Sequence, residues 1–560
     1  MKTGVILSSL KLLAYVLGIV FLTGCGHGNS FGIGNSTAIN ASMPVIEIQP
    51  ANAVYVQGDT AIPLEIIVSV DDGGVITYQW YSNGINSNEN GSIISGETSS
   101  SYTPPTSVAG TTYYYAVVTN TNDNAKKEKK AFVVSDVVSI TVDTLSVSFY
   151  DENLNLLAKY DNLYSGHEVE LNSNKTAYNI TDWYFASNNT AVDSYTITDK
   201  SVNFYASSDI TEIATQDDLI AIETNLTGKY ILLNDIALDE NGAGFDGNGW
   251  LPIGDEINEF TGIFNGNYHK ITNLWINREH ITLVGFFSAA ENASISNLGI
   301  EIAKGKSING YDYIGSIAGW IINGNISNVY STGTIDSTGT CCVGGIIGHT
   351  VNSTITNVYS TVNISSNNFY IGGIIGHTVN STITNVYSTG DINGTENVNG
   401  NGSFIGGIAG RLDGGSITNS YSTGNINGMI AIGGIVGESY YDNGLIRNNA
   451  AINSFVYGDG STNRITNGNV TALNNFALDS MIRGIKYDDT TSTFTDVGNA
   501  TYHGIDKTIE QLKTKETYSD AVNGDGLGGL GWNFGDNDTA PWKIDGAKNN
   551  GLPYLYWQKL

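Results

Sequence analysis

Residues 344–361 read GGIIGHTVNSTITNVYST, and the same eighteen letters recur at residues 372–389, an offset of 28 positions (372 − 344). A unit this short, with almost no charge, cannot bury its apolar side by itself. Its stability must come from stacking on neighbouring units. The repeat therefore predicts an elongated all-β stack of coils that offers a long surface, not a compact fold around one pocket.

Each unit combines a Gly-Gly-aliphatic strand, a polar turn and an Ile-x-Asn-x-Tyr strand. Equivalent residues of stacked coils lie about 4.8 Å apart, so two columns are predicted. The first is a ladder of stacked amides formed by Asn297, Asn328, Asn357, Asn385 and Asn419. The second is a candidate ligand surface formed by Tyr330, Tyr359, Tyr387 and Tyr421. A bend near the asparagines breaks strand alternation, so the sequence leaves open whether the tyrosines face the core or the solvent.

Glycine-rich segments recur throughout residues 209–560, among them Gly262-Ile-Phe, Gly315-Ser-Ile-Ala-Gly, Gly344-Gly-Ile-Ile-Gly, Gly406-Gly-Ile-Ala-Gly and Gly433-Gly-Ile-Val-Gly. This region resembles the GLUG-motif repeats of bacterial surface proteins, which include adhesin-like proteins and immunoglobulin A peptidases. The resemblance implies a right-handed parallel β-solenoid. The spacing of the glycines indicates one long insertion, at residues 391–403, which we expect to protrude.

Both ends of the solenoid region carry signals for short capping helices. Thr215 and Asp218 have the spacing of a capping box, and Thr508 opens a second helix. The tryptophans that follow, Trp532, Trp542 and Trp557, are expected to seal the far end, because an open stack leaves unpaired backbone groups.

The N-terminus resembles a bacterial lipoprotein signal peptide over residues 1–25. Lys2 and Lys11 precede an apolar run at 12–22 that ends in Leu22-Thr-Gly-Cys25. The run is about half the roughly 20 residues that span a bilayer. The resemblance implies cleavage before Cys25, lipid attachment at Cys25, and anchoring to the bacterial outer membrane or cell surface. Residues 26–42, rich in Gly, Asn and Ser, are a predicted flexible tether.

Two further β modules are predicted between the tether and the solenoid. Residues 43–143 contain short segments with the alternating pattern typical of β-strands. They resemble an immunoglobulin-like β-sandwich, with Trp80 as its buried tryptophan and one of Tyr113, Tyr114 and Tyr115 as its corner tyrosine. An aromatic sugar-binding strip is the alternative for these rings. Residues 145–207 resemble an internalin B-repeat, a small β-grasp-like module, although Asp182 replaces its usual glycine; another sandwich is the alternative.

The composition excludes one class of partner. With 25 basic and 54 acidic residues, the formal charge is −29, which opposes binding to nucleic acid. Once Cys25 is lipidated, only the adjacent Cys341 and Cys342 remain, so no disulfide framework is expected. Cys342 falls in a column with Tyr313, Tyr370 and Phe404 and is expected to pack in it.

Catalytic and metal signals are sparse, and no catalytic residue is assigned. His349 and His377 should stack, but Trp320, Arg411 and Glu438 share their column, which favours an exposed turn over a metal pair. The His-Glu-x-x-His pattern of metallopeptidases is absent, since His167-Glu168 is followed by Leu171 at the fifth position.

The acidic residues do not form one catalytic column. Arg411 and Asp413 are expected to form a solvated ion pair. A denser acidic stretch near the N-terminal cap could hold a structural calcium ion, the one cofactor that the sequence suggests, although no spaced ligand loop is visible. It comprises Asp235, Asp239, Asp246, Asp255 and Glu256.

Three functions are consistent with this sequence. The favoured one is a lipid-anchored surface protein whose solenoid mediates adhesion to, or other binding of, a host or neighbouring-cell protein or glycan. The second is a carbohydrate-active β-helix enzyme, either a lyase or a glycoside hydrolase. The third is a passive stalk or coat component.

Overall fold

The computed structural model describes residues 40–558, apart from 165, 187, 189, 199, 243, 396–402, 441–442, 459, 469, 486–489, 494–499 and 520–528. The predicted signal peptide, Cys25 and nearly all of the tether lie outside the described residues, as does most of the predicted protrusion at 391–403. The chain divides into two compact units, the first ending at Asp143 and the second beginning at Thr144. Within the described residues, no helix is both long and apolar enough to cross a bilayer.

The first unit is made of short strands around one core. Its main sheet contains Ala53–Val56, Val138–Asp143, Gly110–Thr121, Val75–Asn83 and Ser92–Ile93 in that order, with Lys130–Val134 pairing to Gly110–Thr121. Two further strand pairs are Val45–Ile48 with Ile67–Ser69, and Leu64–Glu65 with Ser101–Tyr102. Trp80 is completely buried among Leu64, Ile66, Tyr102 and Tyr114. Trp80 is therefore a core residue, as the sandwich interpretation expects, and the alternative of a sugar-binding strip is wrong for this ring.

The segment predicted as a B-repeat-like module packs on the first coils of the solenoid, within the second unit. It contains strands Leu156–Leu163, Leu145–Tyr150 and Val202–Tyr205 in one sheet, the pair Glu168–Val169 and Tyr195–Thr196, and helix Leu171–Tyr178. The Asn265 amide donates to the Leu154 carbonyl over 2.7 Å, and the Tyr150 hydroxyl donates to Asn267 over 3.2 Å. Apolar and polar contacts thus join this segment to the solenoid.

The predicted parallel β-solenoid is confirmed, with about 7 turns over residues 263–507. Each coil contributes to three sheets. Sheet A contains Ile210–Ile213, Lys229–Leu232, Ile236–Ala237, Ile263–Leu274, Phe287–Glu291, Ser294–Ile302, Ala318–Ile322, Asn325–Thr332, Ile347–Val351, Thr354–Ser360, Ile375–Ser388, Ala409–Thr418, Tyr421–Ser422, Val436–Ser439, Gly444–Arg447, Ala450–Ala451, Thr466–Gly468, Thr471–Leu473, Phe476–Leu478 and Ile505–Lys507.

The other two sheets complete each coil. Sheet B contains Phe245–Asp246, Gly249–Trp250, Ile276–Asn277, Ile308–Asn309, Thr334–Ser337, Asn363–Ser366, Ile392–Gly394, Ile426–Asn427, Phe455–Tyr457, Ile482–Ile485 and Thr490–Thr493. Sheet C contains Leu283–Val284, Tyr313–Ile314, Cys342–Gly344, Tyr370–Gly372, Phe404–Gly406, Ala431–Gly433 and Ser461–Asn463. Aliphatic columns from the three sheets and from the bends between them fill the interior. One bend column, between sheets C and A, consists of Ile346, Ile374, Ile408 and Ile435, each fully buried.

The repeat letters map directly onto the coil. The two identical segments lie in register, with Gly344 beside Gly372 and His349 beside His377. The second glycine of each pair lies close to the next coil, since a Cβ on Gly345 would lie 2.3 Å from the Gly373 carbonyl oxygen. A side chain cannot fit there.

The predicted asparagine column is present and is longer than predicted, but its hydrogen bonds form two runs, because Asn385 Oδ1 accepts from Trp542 Nε1 over 3.2 Å at the step before Asn419. The Nδ2 of Asn328 donates to Asn297 over 3.0 Å, that of Asn357 to Asn328 over 3.2 Å, and that of Asn385 to Asn357 over 3.1 Å. Asn448 and Asn474 extend the column beyond Asn419. Asn265 begins the column, since it accepts from Asn297 Nδ2 over 3.1 Å. All the other asparagines of the column have φ between 52° and 58°, the left-handed region that asparagine tolerates best after glycine. The ladder is thus also the bend of each coil.

Both capping boxes form. Thr215 and Asp218 cap helix Gln216–Ala221, which is followed by the 3₁₀ turn Ile222–Thr224, and Thr508 caps Ile509–Leu512. Helices Ala500–His503 and Lys515–Ser519 flank the second box. The predicted role of the C-terminal tryptophans is wrong, because these residues fold back along the flank of sheet A. That segment contains Phe534–Asn537, Ala540–Lys543, the 3₁₀ turn Asn549–Gly551 and Tyr554–Leu555.

Candidate functional site

The tyrosine column forms a continuous ring stack on sheet A. Successive ring centroids lie 5.0, 5.1 and 4.8 Å apart, with interplanar angles of 5° or less, through Tyr330, Tyr359, Tyr387 and Tyr421. The one-coil rise sets this spacing, because the residues are neighbours in register.

The C-terminal segment covers most of this stack. The Tyr387 hydroxyl donates to Gln558 over 2.6 Å, and the Tyr421 hydroxyl donates to the Pro553 carbonyl over 2.7 Å. Trp557 lies over Tyr359, with ring centroids 5.5 Å apart. Tyr359, Tyr387 and Tyr421 are consequently buried, and Tyr330 is half-buried. While the C-terminal segment covers the column, Tyr330 is the member of the predicted ligand surface that a ligand can still contact.

Burial changes the acidity of the covered phenols. It raises the pKa of Tyr387 and Tyr421 well above the ordinary value, and the neighbouring Tyr421 hydroxyl raises that of Tyr387 further. Burial, the Tyr330 phenol and the Glu301 charge likewise raise the pKa of Tyr359. The stack is therefore uncharged at neutral pH and accepts an apolar cover.

A groove opens where the tyrosine column begins. It has a volume of about 200 Å³, and residues 297–299 contribute to its lining. Aromatic side chains and charged groups share its walls, namely Tyr268, Tyr330, Tyr359, Trp557, Asp235, Lys270 and Glu301. Gly299 is required here, because a Cβ would lie 2.3 Å from the Tyr330 ring.

Tyr268 has an unusual backbone in this groove. Its φ is 62°, and in the described residues every other non-glycine position with positive φ is asparagine, apart from Leu154. Bulky residues rarely adopt this conformation, and such strain concentrates at ligand sites. Tyr268 is 41% exposed despite packing near Trp557, with ring centroids 6.5 Å apart.

The charged groups of the groove are mutually paired. Lys270 Nζ lies 3.0 Å from Glu301, which also accepts a hydrogen bond from the Tyr330 hydroxyl over 3.3 Å. Burial and the Glu301 charge raise the pKa of Tyr330. Asp235 accepts from the Lys270 backbone amide and contacts His269, both over 3.1 Å. The arrangement presents fixed hydrogen-bonding groups beside aromatic rings.

Sequence reasoning missed most of this groove. Lys270, Gly299 and Tyr330 occupy one register column, so alignment of the coils could have found Lys270. No sequence signal placed Trp557 in the groove, because it lies far along the chain from the tyrosines that it contacts.

A second cluster lies where sheet C turns into sheet A. His349 and His377 stack with ring centroids 4.7 Å apart, and Cys342 lies beside them. The prediction of an exposed turn is wrong: both histidines lie within strands and are half-buried, because Tyr313 and Tyr370 pack against the rings. Burial lowers the pKa of His349 to about 3, with a further lowering by His377. Cys342 is completely buried, and it is bonded to Cys341 through a disulfide that the sequence did not predict.

The expected solvated pair of Arg411 and Asp413 is instead part of a buried network. Asp413 accepts from Arg411 Nε over 2.8 Å and contacts His377 Nε2 over 2.9 Å, with its side chain only 7% exposed. Burial alone would raise the pKa of Asp413, but the hydrogen bonds from His377 and Arg411 lower it. The Tyr370 hydroxyl lies 2.6 Å from Arg411 Nη1.

The acidic stretch suggested for calcium is dispersed. Asp235 pairs as described above, Asp246 pairs with Arg278 over 2.9 Å, and Asp255 accepts from the Ile257 and Asn258 backbone amides. In the part of the chain that the structure describes, these acids do not form a group of three with converging ligand atoms.

Two families match parts of the chain. The GLUG motif matches residues 367–393 and 401–427, which lie within the solenoid. A domain of unknown function, DUF8696, matches residues 48–144, which correspond to the first compact unit.

Similar proteins share short stretches with this chain. Halomucin of Haloquadratum walsbyi is 34% identical over 133 residues, which are 22% of this chain and 1% of halomucin. A protein of Evansella cellulosilytica described as a Gly-rich membrane protein is 44% identical over 55 residues, 10% of this chain and 6% of that protein. The chain thus spans only a small part of either relative. A solved structure titled IgA1 Protease aligns over 76% of this chain and 30% of its own, at 17% identity and a TM-score of 0.34, which is too low to establish a shared fold.

Proposed function

We propose that this chain is a lipid-anchored surface protein whose solenoid binds a glycan in the groove between Tyr268, Tyr330 and Trp557. The observation that carries the proposal is the combination of the exposed Tyr268 and the half-buried Tyr330 and Trp557 with fixed charged groups in one groove of about 200 Å³. The apolar face of a sugar ring packs on aromatic side chains, while its hydroxyls bond to carboxylate and ammonium groups.

Three features support a surface role. The lipoprotein-like N-terminus, the GLUG repeats and the two partial relatives, one described as a membrane protein, are consistent with export. The formal charge of −29 favours neutral or cationic partners over anionic ones. Adhesion through the groove would place the ligand on the flank of the solenoid.

Binding is better supported than catalysis in this groove. Glu301 is paired with Lys270 and accepts from Tyr330, and Asp235 is held by His269 and the Lys270 backbone. A glycosidase needs one carboxyl group that is free to donate its proton to the leaving oxygen, whereas both carboxyl groups here are already engaged by neighbouring protein groups. We therefore assign both acids to ligand orientation.

The test is a polysaccharide array probed with the full chain. Capture of a glycan is expected to weaken at least about tenfold in Tyr268→Ala and in Glu301→Gln, the loss expected for about 1.4 kcal/mol of contact. Tyr311→Ala is the matched control, because Tyr311 is also a large, 42% exposed aromatic of the solenoid and lies outside the groove. Equal capture of the glycan by all three variants would exclude the groove as the glycan-binding site. Release of new reducing or unsaturated ends, abolished by Glu301→Gln, would favour the enzyme instead.

A further inference from the structure

The cysteine–histidine cluster is independent of the glycan groove. Cys342 lies in the sheet C strand Cys342–Gly344, and the glycine bend that follows returns the chain to His349 in sheet A. The identical repeat places His377 directly beside His349. The three ligand atoms, one sulfur and two ring nitrogens, lie within 4.8 Å of one another, and among the described residues no other group of three Cys, His, Asp or Glu side chains does so.

Two ring nitrogens of this cluster are suited to a ligand. His349 Nδ1 is buried and has no hydrogen-bond partner, and a native buried nitrogen normally has one. His377 Nε2 is held by Asp413, which is in turn held by Arg411. That contact leaves Nδ1 as the His377 atom for a ligand and reproduces the carboxylate–histidine support typical of metal sites.

The spacing suits a tetrahedral metal ion. Zinc binds sulfur at about 2.3 Å and imidazole nitrogen at about 2.0 Å, which places ligand atoms roughly 3.5 Å apart. The observed limit of 4.8 Å requires side-chain movements of about 1 Å. Three protein ligands leave the fourth position for water.

The disulfide determines when the site can form, because only a thiolate binds zinc. While Cys342 is bonded to Cys341, its sulfur cannot be a thiolate ligand. A small-molecule dithiol can donate two electrons and two protons to this bond. The S–S bond breaks, two cysteine thiols form, and the dithiol is oxidised to its own disulfide. The Cys342 thiol then loses its proton on binding the metal.

We propose that Cys342, His349 and His377 form a redox-gated site for a divalent transition metal of the zinc type, closed by the Cys341–Cys342 disulfide and opened by its reduction. Cobalt is the probe, since a thiolate bound to Co²⁺ gives a charge-transfer band in the near ultraviolet. The full chain is titrated with Co²⁺ with and without prior reduction by a phosphine, and intact mass confirms the disulfide state.

The proposal expects one Co²⁺ per chain with the thiolate band after reduction, and no such band before it. Cys342→Ser should lose the band, and His349→Ala or His349→Gln should weaken binding at least about tenfold. Cys341→Ser is the matched control, because it removes the disulfide and keeps all three ligands; it should bind Co²⁺ without a reductant. Cys25 is unchanged in every variant.

Several results would overturn the proposal. Reduced wild-type protein that gives no thiolate band would do so, as would an equal band in Cys342→Ser. A folded Cys341→Ser chain that fails to bind Co²⁺ would be equally decisive, since every proposed ligand is then free. Circular dichroism of each variant separates loss of the site from loss of the fold.

Discussion

At the scale of single residues, asparagine fulfils two requirements in each coil. It accepts a left-handed backbone, with φ of 54° at Asn328, and its amide bonds to the coil before it. Glycine satisfies only the first requirement, and alanine satisfies neither. This is why the bend position carries asparagine from coil to coil while its flanking residues vary.

Substitution of Asn328 separates these two contributions. Asn328→Gly should cost about 1–3 kcal/mol, because two buried ladder bonds are lost, and Asn328→Ala should cost a further 1–2 kcal/mol or so for the left-handed backbone. Urea unfolding of the full chain, followed by circular dichroism, measures both. Equal losses in the two variants would show that the backbone conformation contributes little.

Gly373 tests the close approach of neighbouring coils. A Cβ there would lie 2.3 Å from both the Gly407 carbonyl oxygen and the Ser388 hydroxyl, so Gly373→Ala should destabilise the solenoid by about 1–3 kcal/mol. Gly247→Ala is the control, because nothing lies within 4 Å of its Cβ, and its effect should stay within about 0.5 kcal/mol. Thermal unfolding compares them; similar melting temperatures would contradict the packing argument.

The repeat could predict these residue columns because each coil places the same letter at the same position. It could not predict how His349 is surrounded. The column letters vary among Trp320, His349 and Arg411, which suggested solvent exposure, yet aromatic rings from sheet C cover them. Burial of this column depends on the side chains that sheet C places over it, and the residues of the column itself give no information about those side chains.

At the scale of elements, the C-terminal segment acts as a strap along the tyrosine stack. Trp532 and Trp542 lie 4.6 Å apart by ring centroid, and both pack near Tyr421. The sequence led us to expect that these aromatics cover the open end of the stack, whereas they cover the flank of sheet A. Their hydrogen-bond partners lie far earlier in the chain, 84 residues for Trp532 and 157 residues for Trp542, and no local pattern encodes such contacts.

Alkaline pH should release this strap. Tyr359, Tyr387 and Tyr421 have raised pKa values in the folded chain because they are buried, whereas an unfolded tyrosine ionises near pH 10. A raised folded pKa gives stability that is complete below about pH 10 and is lost as pH rises above it. The urea midpoint of the wild type should therefore decrease as the pH is raised from about 8 to about 11.

Replacement of those three tyrosines with phenylalanine provides the comparison. The variant should be less stable near neutral pH, by about 1 kcal/mol for each hydroxyl bond lost, but its urea midpoint should decline less steeply across the same alkaline range. A decline as steep as that of the wild type would show that other groups control alkaline unfolding.

At the scale of the whole molecule, the solenoid is nearly one-dimensional. Each coil contacts its neighbours through backbone ladders and stacked columns, so stability is close to a sum over coils and their interfaces. The sequence predicted this architecture well because the repeat itself encodes it. The strap is the exception, since it bridges several coils and couples them directly.

Removal of one whole coil tests this view. Deletion of residues 344–371 joins Val343 to Gly372, and because Val343 pairs with Ile371 in register, the following coil takes the vacant position. We expect β-type circular dichroism and cooperative unfolding to persist, at a lower melting temperature, because Tyr359 is lost and the strap no longer matches the remaining rings. Deletion of residues 344–357, half a coil, is the control. It leaves one half-length coil that cannot pair in register with both neighbours, so the coils on its two sides are uncoupled and the single cooperative transition should be lost; its survival would mean that coil stacking does not determine the fold.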